Sequence, residues 1–108
     1  MRHLGKITSA FFGTIPDHPY LFGLQLSFSM GDEGCVGDGG KYTVNISKSC
    51  KWSNPESRSK ALEDMLDKVH QILQDAKVNY VADLVNKPVE VTLADGRFKD
   101  FRILTEVL

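Results

Sequence analysis

A glycine-rich, acidic stretch is the first part of this sequence with the residue types for chemistry. Residues 31–41 hold five of the nine glycines, three acids and one lysine. Glycine has no side chain to bury and loses much conformational entropy when it is ordered. Such a stretch is therefore typical of backbone that approaches a ligand closely or becomes ordered on binding. The candidate binding residues in it are Asp32, Glu33, Gly37, Asp38, Gly39, Gly40 and Lys41.

The spacing in this stretch excludes the phosphate-binding loop of nucleoside triphosphatases. That loop needs a glycine six residues before its lysine and a serine or threonine after it. Relative to Lys41, these positions hold Cys35 and Tyr42. Successive glycine N–H groups can still hold an anion, but the three acids would repel a phosphate. The acids suit a cation, although their spacing does not match an EF-hand.

Three interpretations of residues 31–41 therefore stay open: a loop that contacts a protein or ligand, a mobile hairpin loop with no role, and a metal or anion site. We favour the contact loop, and we predict no cofactor and no metal.

Catalytic residues are not evident elsewhere in the sequence. His3, His18 and His70 are scattered, without metal-ligand spacing to one another or to a cysteine. A thiolate–imidazole couple of Cys35 and His18 would require the fold to bring them together. We therefore predict a protein that is not an enzyme. Three further candidates for partner contact lie beside predicted loops, and they are His18, Tyr20 and Trp52.

Composition narrows the class of partner. The chain has 108 residues, 13 basic and 14 acidic, with a formal net charge of −1. Proteins that coat nucleic acid need a basic surplus, so we consider nucleic acid an unlikely partner. No apolar run is long enough to span a membrane, and the N-terminus does not resemble a signal peptide. We therefore expect a cytoplasmic protein with no membrane partner.

Hydrophobic periodicity predicts strands and one helix. Alternation of apolar and polar residues predicts strands over 4–12, 21–30, 42–46, 89–93 and 98–107, with a loop at 16–19 and the turn Asp95-Gly96. A helix is predicted to begin near a capping box formed by Ser53 and Glu56. Its apolar stripe consists of Leu62, Met65, Leu66, Val69, Ile72, Leu73 and Ala76.

This order of elements predicts the fold class. We expect a single α+β domain over residues 1–108, with an antiparallel sheet of about five strands and one amphipathic helix packed on one face. The glycine-rich residues 31–41 would form a long loop between the second and third strands. An open sheet leaves strand edges exposed, so a homo-oligomer is compatible with this fold.

Five segments of the chain carry a family resemblance, and they are Gly5-Lys6-Ile7, Phe12-Gly13, residues 21–28, the segment 86–93 and the ending 101–108. Through these segments, most of the chain resembles an uncharacterised family of small proteins from tailed phages and prophages. It implies expression inside an infected bacterium and gives no residue roles. One departure is Cys35, where we expect relatives to carry a tryptophan.

In that setting we expect a binding protein that counteracts a bacterial defence system. Two modes are open. In one, the protein sequesters a nucleotide second messenger on the backbone of residues 31–41 and Lys41. In the other, it caps a host defence protein such as a CRISPR nuclease, with Asp32, Glu33 and Asp38 imitating nucleic acid. A small hydrolase and a phage structural or accessory protein are the remaining alternatives.

Overall fold

All the strands that the structure describes belong to one antiparallel sheet with a helix against it, which confirms the predicted α+β class. The structure is a computed structural model that describes residues 2–47 and 55–107. The main elements are β1 (Arg2–Ile15), β2 (His18–Ser29), β3 (Cys35–Gly37), β4 (Thr43–Asn45), α1 (Pro55–Ala76), β5 (Pro88–Ala94) and β6 (Arg97–Ile103). The strand order is β3-β2-β1-β5-β6, and β4 also pairs with β2.

The hairpin of β1 and β2 is longer than predicted. A turn at Pro16 and Asp17 joins the strands, and Asp17 takes a positive φ of 69°. The predicted loop at 16–19 was therefore too long, because His18 already pairs with Ile15.

A bulge in β1 changes which side chains face the core. Ile7 pairs with Phe28 and Ser9 pairs with Ser27, so Thr8 is the extra residue. An extra residue reverses the alternation of faces beyond it. Ile7 and Ala10 are consequently both buried, although simple alternation put them on opposite faces.

The helix α1 lies on the buried face of the sheet. Met65, Val69, Ile72 and Ala76 are buried in the core, whereas Leu66 is exposed. The predicted apolar stripe was thus one residue too wide. Each fully buried aliphatic side chain contributes about 2 kcal/mol of hydrophobic stabilisation. The predicted cap Ser53 lies outside the described residues.

The sheet curls until its two edges approach each other. Phe28 in β2 stacks on Phe98 in β6 with ring centroids 5.3 Å apart, and it packs on Phe101 at 4.9 Å. Two strands, β1 and β5, separate β2 from β6 in the sheet. A flat sheet would keep these rings far apart, because neighbouring strands are spaced by about 4.8 Å. Curling therefore places the segment after β3 beside β6.

The C-terminal part forms the predicted hairpin with small differences at its ends. Asp95 and Gly96 both have positive φ, 54° and 76°, as a type I′ turn requires. A 3-10 turn at Val81–Leu84 precedes β5, and Leu84 is fully buried. The last strand ends at Ile103 rather than 107, and a 3-10 turn follows at Thr105–Val107. No helix in the described ranges is long and apolar enough to cross a membrane.

Candidate functional site

The glycine segment, residues 31–41, is not one long loop. It contains a 3-10 turn at Gly31–Glu33 and the short strand β3, in which Gly37 pairs with Ser27 of β2. After a further turn the chain rejoins β2 through β4, where Thr43 pairs with Gly23. The segment therefore follows the edge of β2 rather than extending away from it. The sequence-based expectation of a long hairpin loop was wrong, because three-residue strands are too short to show alternation.

Asp38 is the buried acid of this segment. Its side chain sits opposite the middle of β2, and the residue is only 7% exposed. The Leu26 N–H donates to Oδ2 at 2.9 Å, and the Gly40 N–H donates to Oδ1 at 3.0 Å. Burial raises the pKa of the Asp38 carboxyl, and the two backbone hydrogen bonds oppose that shift. The carboxylate therefore replaces the missing strand partner of Leu26.

The turn that follows Asp38 is closed by its own backbone hydrogen bonds. Gly39 and Gly40 both have positive φ, 65° and 81°, a conformation that glycine adopts without steric cost. Lys41 N–H donates to the Asp38 carbonyl at 3.2 Å, and Thr43 N–H donates to the Gly40 carbonyl at 3.1 Å. Together with the Gly40 N–H, these donors are already occupied. Of these N–H groups, that of Gly40 donates to the Asp38 carboxylate, an anion from the same chain, and the other two donate to backbone carbonyls of the turn.

Lys41 joins the two edges of the curled sheet. Its Nζ donates to the Lys99 carbonyl, lies 3.9 Å from Oδ1 of Asp100, and stands 5.9 Å from the centroid of the Phe98 ring. A cation over an aromatic face is attracted by the ring quadrupole. These contacts use the ammonium group for a structural bridge to β6.

Tyr42 anchors the same turn in the core. Its ring contacts Phe98 and Phe101 edge-on, with centroids 6.4 and 5.9 Å away. Its buried hydroxyl has no hydrogen-bond partner of standard geometry within the described residues. Burial raises the pKa of the Tyr42 phenol, and the nearby charge of Asp100 adds to the shift without a well-aligned bond.

Asp32 and Glu33 remain at the surface, in contrast to Asp38. Both lie in the exposed 3-10 turn after β2. Oε2 of Glu33 is 3.9 Å from Nδ1 of His3, whose side chain is 13% exposed. Glu33 also lines a shallow depression at this end of the sheet, together with His3, Thr92, Asp95 and Lys99. Of the three predicted acids, two are thus available to a partner.

His18 and Tyr20 lie at the opposite end of β2 from the acids. Tyr20 Oη is 3.2 Å from Nδ1 of His18, and both side chains are exposed.

Cys35 carries an exposed free thiol, and its backbone pairs with that of Ser29 in β2. Ser29 is eleven residues along β2 from His18, and a strand rises about 3.3 Å per residue. The two groups are therefore too far apart to form a thiolate–imidazole couple.

Two exposed phenylalanines were missed by the sequence reasoning as candidate contact residues. Phe11 is 64% exposed and Phe12 is 40% exposed, on the distal part of the β1–β2 hairpin. The signal available in the sequence was the absence of any charged residue between Lys6 and Asp17. Trp52, the remaining candidate, lies outside the described residues.

Comparisons with known protein families, with curated proteins and with solved structures found no match for this chain. Within the two described ranges, no group of three or more His, Cys, Asp or Glu side chains is placed to hold a metal ion. The geometry of the glycine segment and of the exposed surfaces is therefore the basis for a functional proposal.

Proposed function

We propose that this protein is a non-enzymatic binding protein that caps a protein partner through an acidic surface. In the setting implied by the family resemblance, the partner is a defence protein of the bacterial host that normally binds nucleic acid. The surface consists of Asp32 and Glu33, at the end of β2.

We favour capping over nucleotide binding because the polar groups of the glycine segment already have partners within the chain. Asp38 accepts the N–H groups of Leu26 and Gly40, so its carboxylate stands where a bound phosphate would accept hydrogen bonds. The Lys41 ammonium is committed to β6. A nucleotide would have to displace a buried carboxylate, and burying two anions together is strongly unfavourable. These contacts favour capping over sequestration of a nucleotide.

The two exposed acids are suited to a basic partner surface. Charged residues at the rim of an interface mainly steer association and set partner choice. Asp32 and Glu33 are adjacent in sequence and exposed, as groups that imitate nucleic-acid phosphates must be. The attraction would weaken with added salt, because exposed charges are screened.

A phage-plating assay tests the proposal. The protein is expressed in bacteria that carry a panel of nuclease-based defences, and the plating of a sensitive phage is measured. We expect at least a tenfold rise with the wild-type protein and loss of that rise with the double variant Asp32→Lys/Glu33→Lys. The matched control is Glu63→Lys/Asp67→Lys, which makes the same charge change at exposed positions of α1.

The outcomes separate the two modes. Equal loss in both double variants, or no protection by the wild-type protein against any nuclease defence, contradicts capping through Asp32 and Glu33. Native mass spectrometry of the protein from the same cells gives an independent reading. Retained nucleotide on the 12.1 kDa chain, released on heating as absorbance at 260 nm, would replace capping by sequestration.

A further inference from the structure

We propose that the outer edge of β1 pairs with the same edge of a second copy of this chain. The pairing would involve the hairpin arm, defined as residues 8–20, and would form a closed dimer about a two-fold axis near Phe11. This inference is independent of the proposed function.

Strand β1 is paired on both edges only at its beginning. On one edge it pairs with β2 along its length. On the other edge β5 pairs with Arg2–Lys6, and the Ile7 carbonyl accepts the Asn86 N–H at 2.7 Å. The 3-10 turn Val81–Leu84 then packs against β1, with Leu84 in the core. From Thr8 to Ile15, no described strand pairs with this edge.

The edge strands β6 and β3 each carry a feature that discourages pairing with another chain, and β1 beyond its contact with Val81–Leu84 carries neither feature. The edge strand β6 carries Arg97, Lys99 and Asp100, and charges on an edge discourage pairing with another chain. The edge strand β3 has only three residues. The hairpin arm has no charged residue before Asp17 and contains β-branched and aromatic residues. Natural proteins seldom leave such an edge without a partner.

The exposed aromatic rings lie on the same stretch of β1. Phe12 packs edge-on against Phe22, with ring centroids 5.1 Å apart. Phe11 is on the opposite face, where it pairs with Gln25. Both residues border a shallow groove, which is also lined by Gly13, Thr14, Pro16 and Gln25. Burying aromatic rings contributes much of the binding energy in protein interfaces.

A second copy of this chain fits the open edge of β1 better than an unrelated strand does. Two identical strands related by a two-fold axis pair antiparallel, and the same patch on each copy is used once. An axis through Phe11 sets the two Phe11 rings against each other and places Ala10 opposite Phe12 of the second copy. Because the arm is uncharged up to Asp17, this self-pairing brings no like charges together. The contact is small compared with standard interfaces, so we expect dissociation in the micromolar range.

Sedimentation equilibrium of the purified chain tests the dimer. Concentrations run from about 1 μM to about 1 mM, which brackets micromolar affinities. A reducing agent is present because Cys35 is exposed. We expect the mass to rise from 12.1 kDa to twice that value with concentration. The variant Phe11→Lys should stay monomeric throughout, since it sets two ammonium groups against each other.

Leu66→Lys is the matched control, because Leu66 is also an exposed apolar residue but lies on α1. It should dimerise like the wild-type protein. A second edge variant, Thr14→Lys, should weaken the dimer at least tenfold, and circular dichroism verifies that each variant is folded. Amide exchange in the wild-type protein should slow between Ala10 and Thr14 as concentration rises. A wild-type monomer at every concentration, equal behaviour of Phe11→Lys and Leu66→Lys, or assembly beyond two copies would overturn the proposal.

Discussion

The glycine segment and the β1 part of the hairpin arm lie on opposite sides of β2, and they differ in whether their backbone hydrogen-bonding groups have partners. In the glycine segment, Asp38 accepts N–H groups that the broken strand leaves without partners, and Lys41 and Tyr42 attach the turn to β6. In the hairpin arm, the outer edge of β1 is unpaired within the described residues and two phenylalanines are exposed. The glycine-rich sequence, which is typical of a flexible loop, therefore has hydrogen-bond partners within the molecule. The regular strand sequence of the hairpin arm presents the open edge.

Two glycines that face each other across β1 and β2 provide the sharpest form of this comparison. Gly13 of the arm pairs with Gly23 of β2. A Cβ at Gly23 would lie 2.3 Å from the Tyr42 carbonyl oxygen at a φ of 150°, whereas a Cβ at Gly13 would meet no atom of the described residues within 4 Å. Gly23 therefore allows the backbone of Tyr42 and Thr43 to approach β2 closely, whereas Gly13 borders open space.

The largest effect is therefore expected for Gly23→Ala. A backbone oxygen cannot move away cheaply, so we expect a loss of about 3 kcal/mol or more in the free energy of unfolding. The matched Gly13→Ala should change it by less than about 0.5 kcal/mol. Urea denaturation followed by circular dichroism measures both. Similar losses in the two variants would mean that the arm is as tightly packed as the glycine segment.

Next in size is Asp38→Ala, which leaves the buried Leu26 N–H without an acceptor. We expect a loss of about 2 kcal/mol in the free energy of unfolding, since an unsatisfied buried donor costs 1–3 kcal/mol. Asp38→Asn retains one acceptor oxygen and should lose less. Asp32→Ala is the control, because this acid is exposed. If Asp38→Ala were as stable as Asp32→Ala, the carboxylate would not be holding the segment in place.

Smaller still, and dependent on pH, is the effect of Tyr42→Phe. At neutral pH the hydroxyl has no well-aligned partner among residues 2–47 and 55–107, so its removal should change the unfolding free energy by less than about 1 kcal/mol. The raised pKa of Tyr42 means that the folded state keeps its proton longer than the unfolded state. The stabilisation that comes from keeping the Tyr42 phenol protonated is therefore fully present below the unfolded-state pKa of about 10. It declines as pH rises above that value.

Unfolding experiments at pH 8 and pH 11 measure this decline. The wild-type protein should lose more stability over this interval than Tyr42→Phe, because the variant has no phenol to ionise at that position. Tyr80→Phe, which changes an exposed tyrosine, serves as the control and should follow the wild-type protein. A Tyr42→Phe curve parallel to that of the wild-type protein would contradict a buried, shifted phenol.

The smallest effect on the monomer is expected for Phe11→Ser. Because the ring is exposed, the unfolding free energy of the dilute protein should change by less than about 0.5 kcal/mol. Any larger stabilisation by Phe11 should appear only at concentrations where copies associate. Thermal melts at low and high protein concentration measure this difference. A large loss at low concentration would make Phe11 part of the monomer's own packing.

Sequence patterns predicted the elements with strong periodicity. The helix stripe from Met65 to Ala76, the alternation in β2 and the Asp95-Gly96 turn are local signals that depend on residue spacing. The bulge at Thr8 and the strand β3 were missed. One extra residue leaves a valid strand pattern on either side, and three residues are too few to show a period.

For the candidate site, the sequence identified the residue types but not their exposure. It grouped Asp32, Glu33 and Asp38 as one acidic set, and the structure buries one of the three. It treated Lys41 as a free cation, whereas the curl of the sheet brings the Lys99 carbonyl and Phe98 to it. These partners are more than fifty residues away in the chain, so no local pattern could reveal them.

The sequence by itself determined the fold class, the one amphipathic helix and the absence of charge from Ile7 to Pro16, because these follow from residue type and spacing within a few turns or one strand. Only the tertiary structure decided that the Asp38 carboxylate accepts the N–H groups of Leu26 and Gly40 and that the distal outer edge of β1 has no strand partner among the described residues. Both depend on strand register and on the curvature of the sheet, which arise from packing between distant residues. The composition of the glycine segment suggested a ligand site there. Because the segment is folded against β2 and β6, the candidates for partner contact are instead the acids at one end of β2 and the phenylalanines of the hairpin arm.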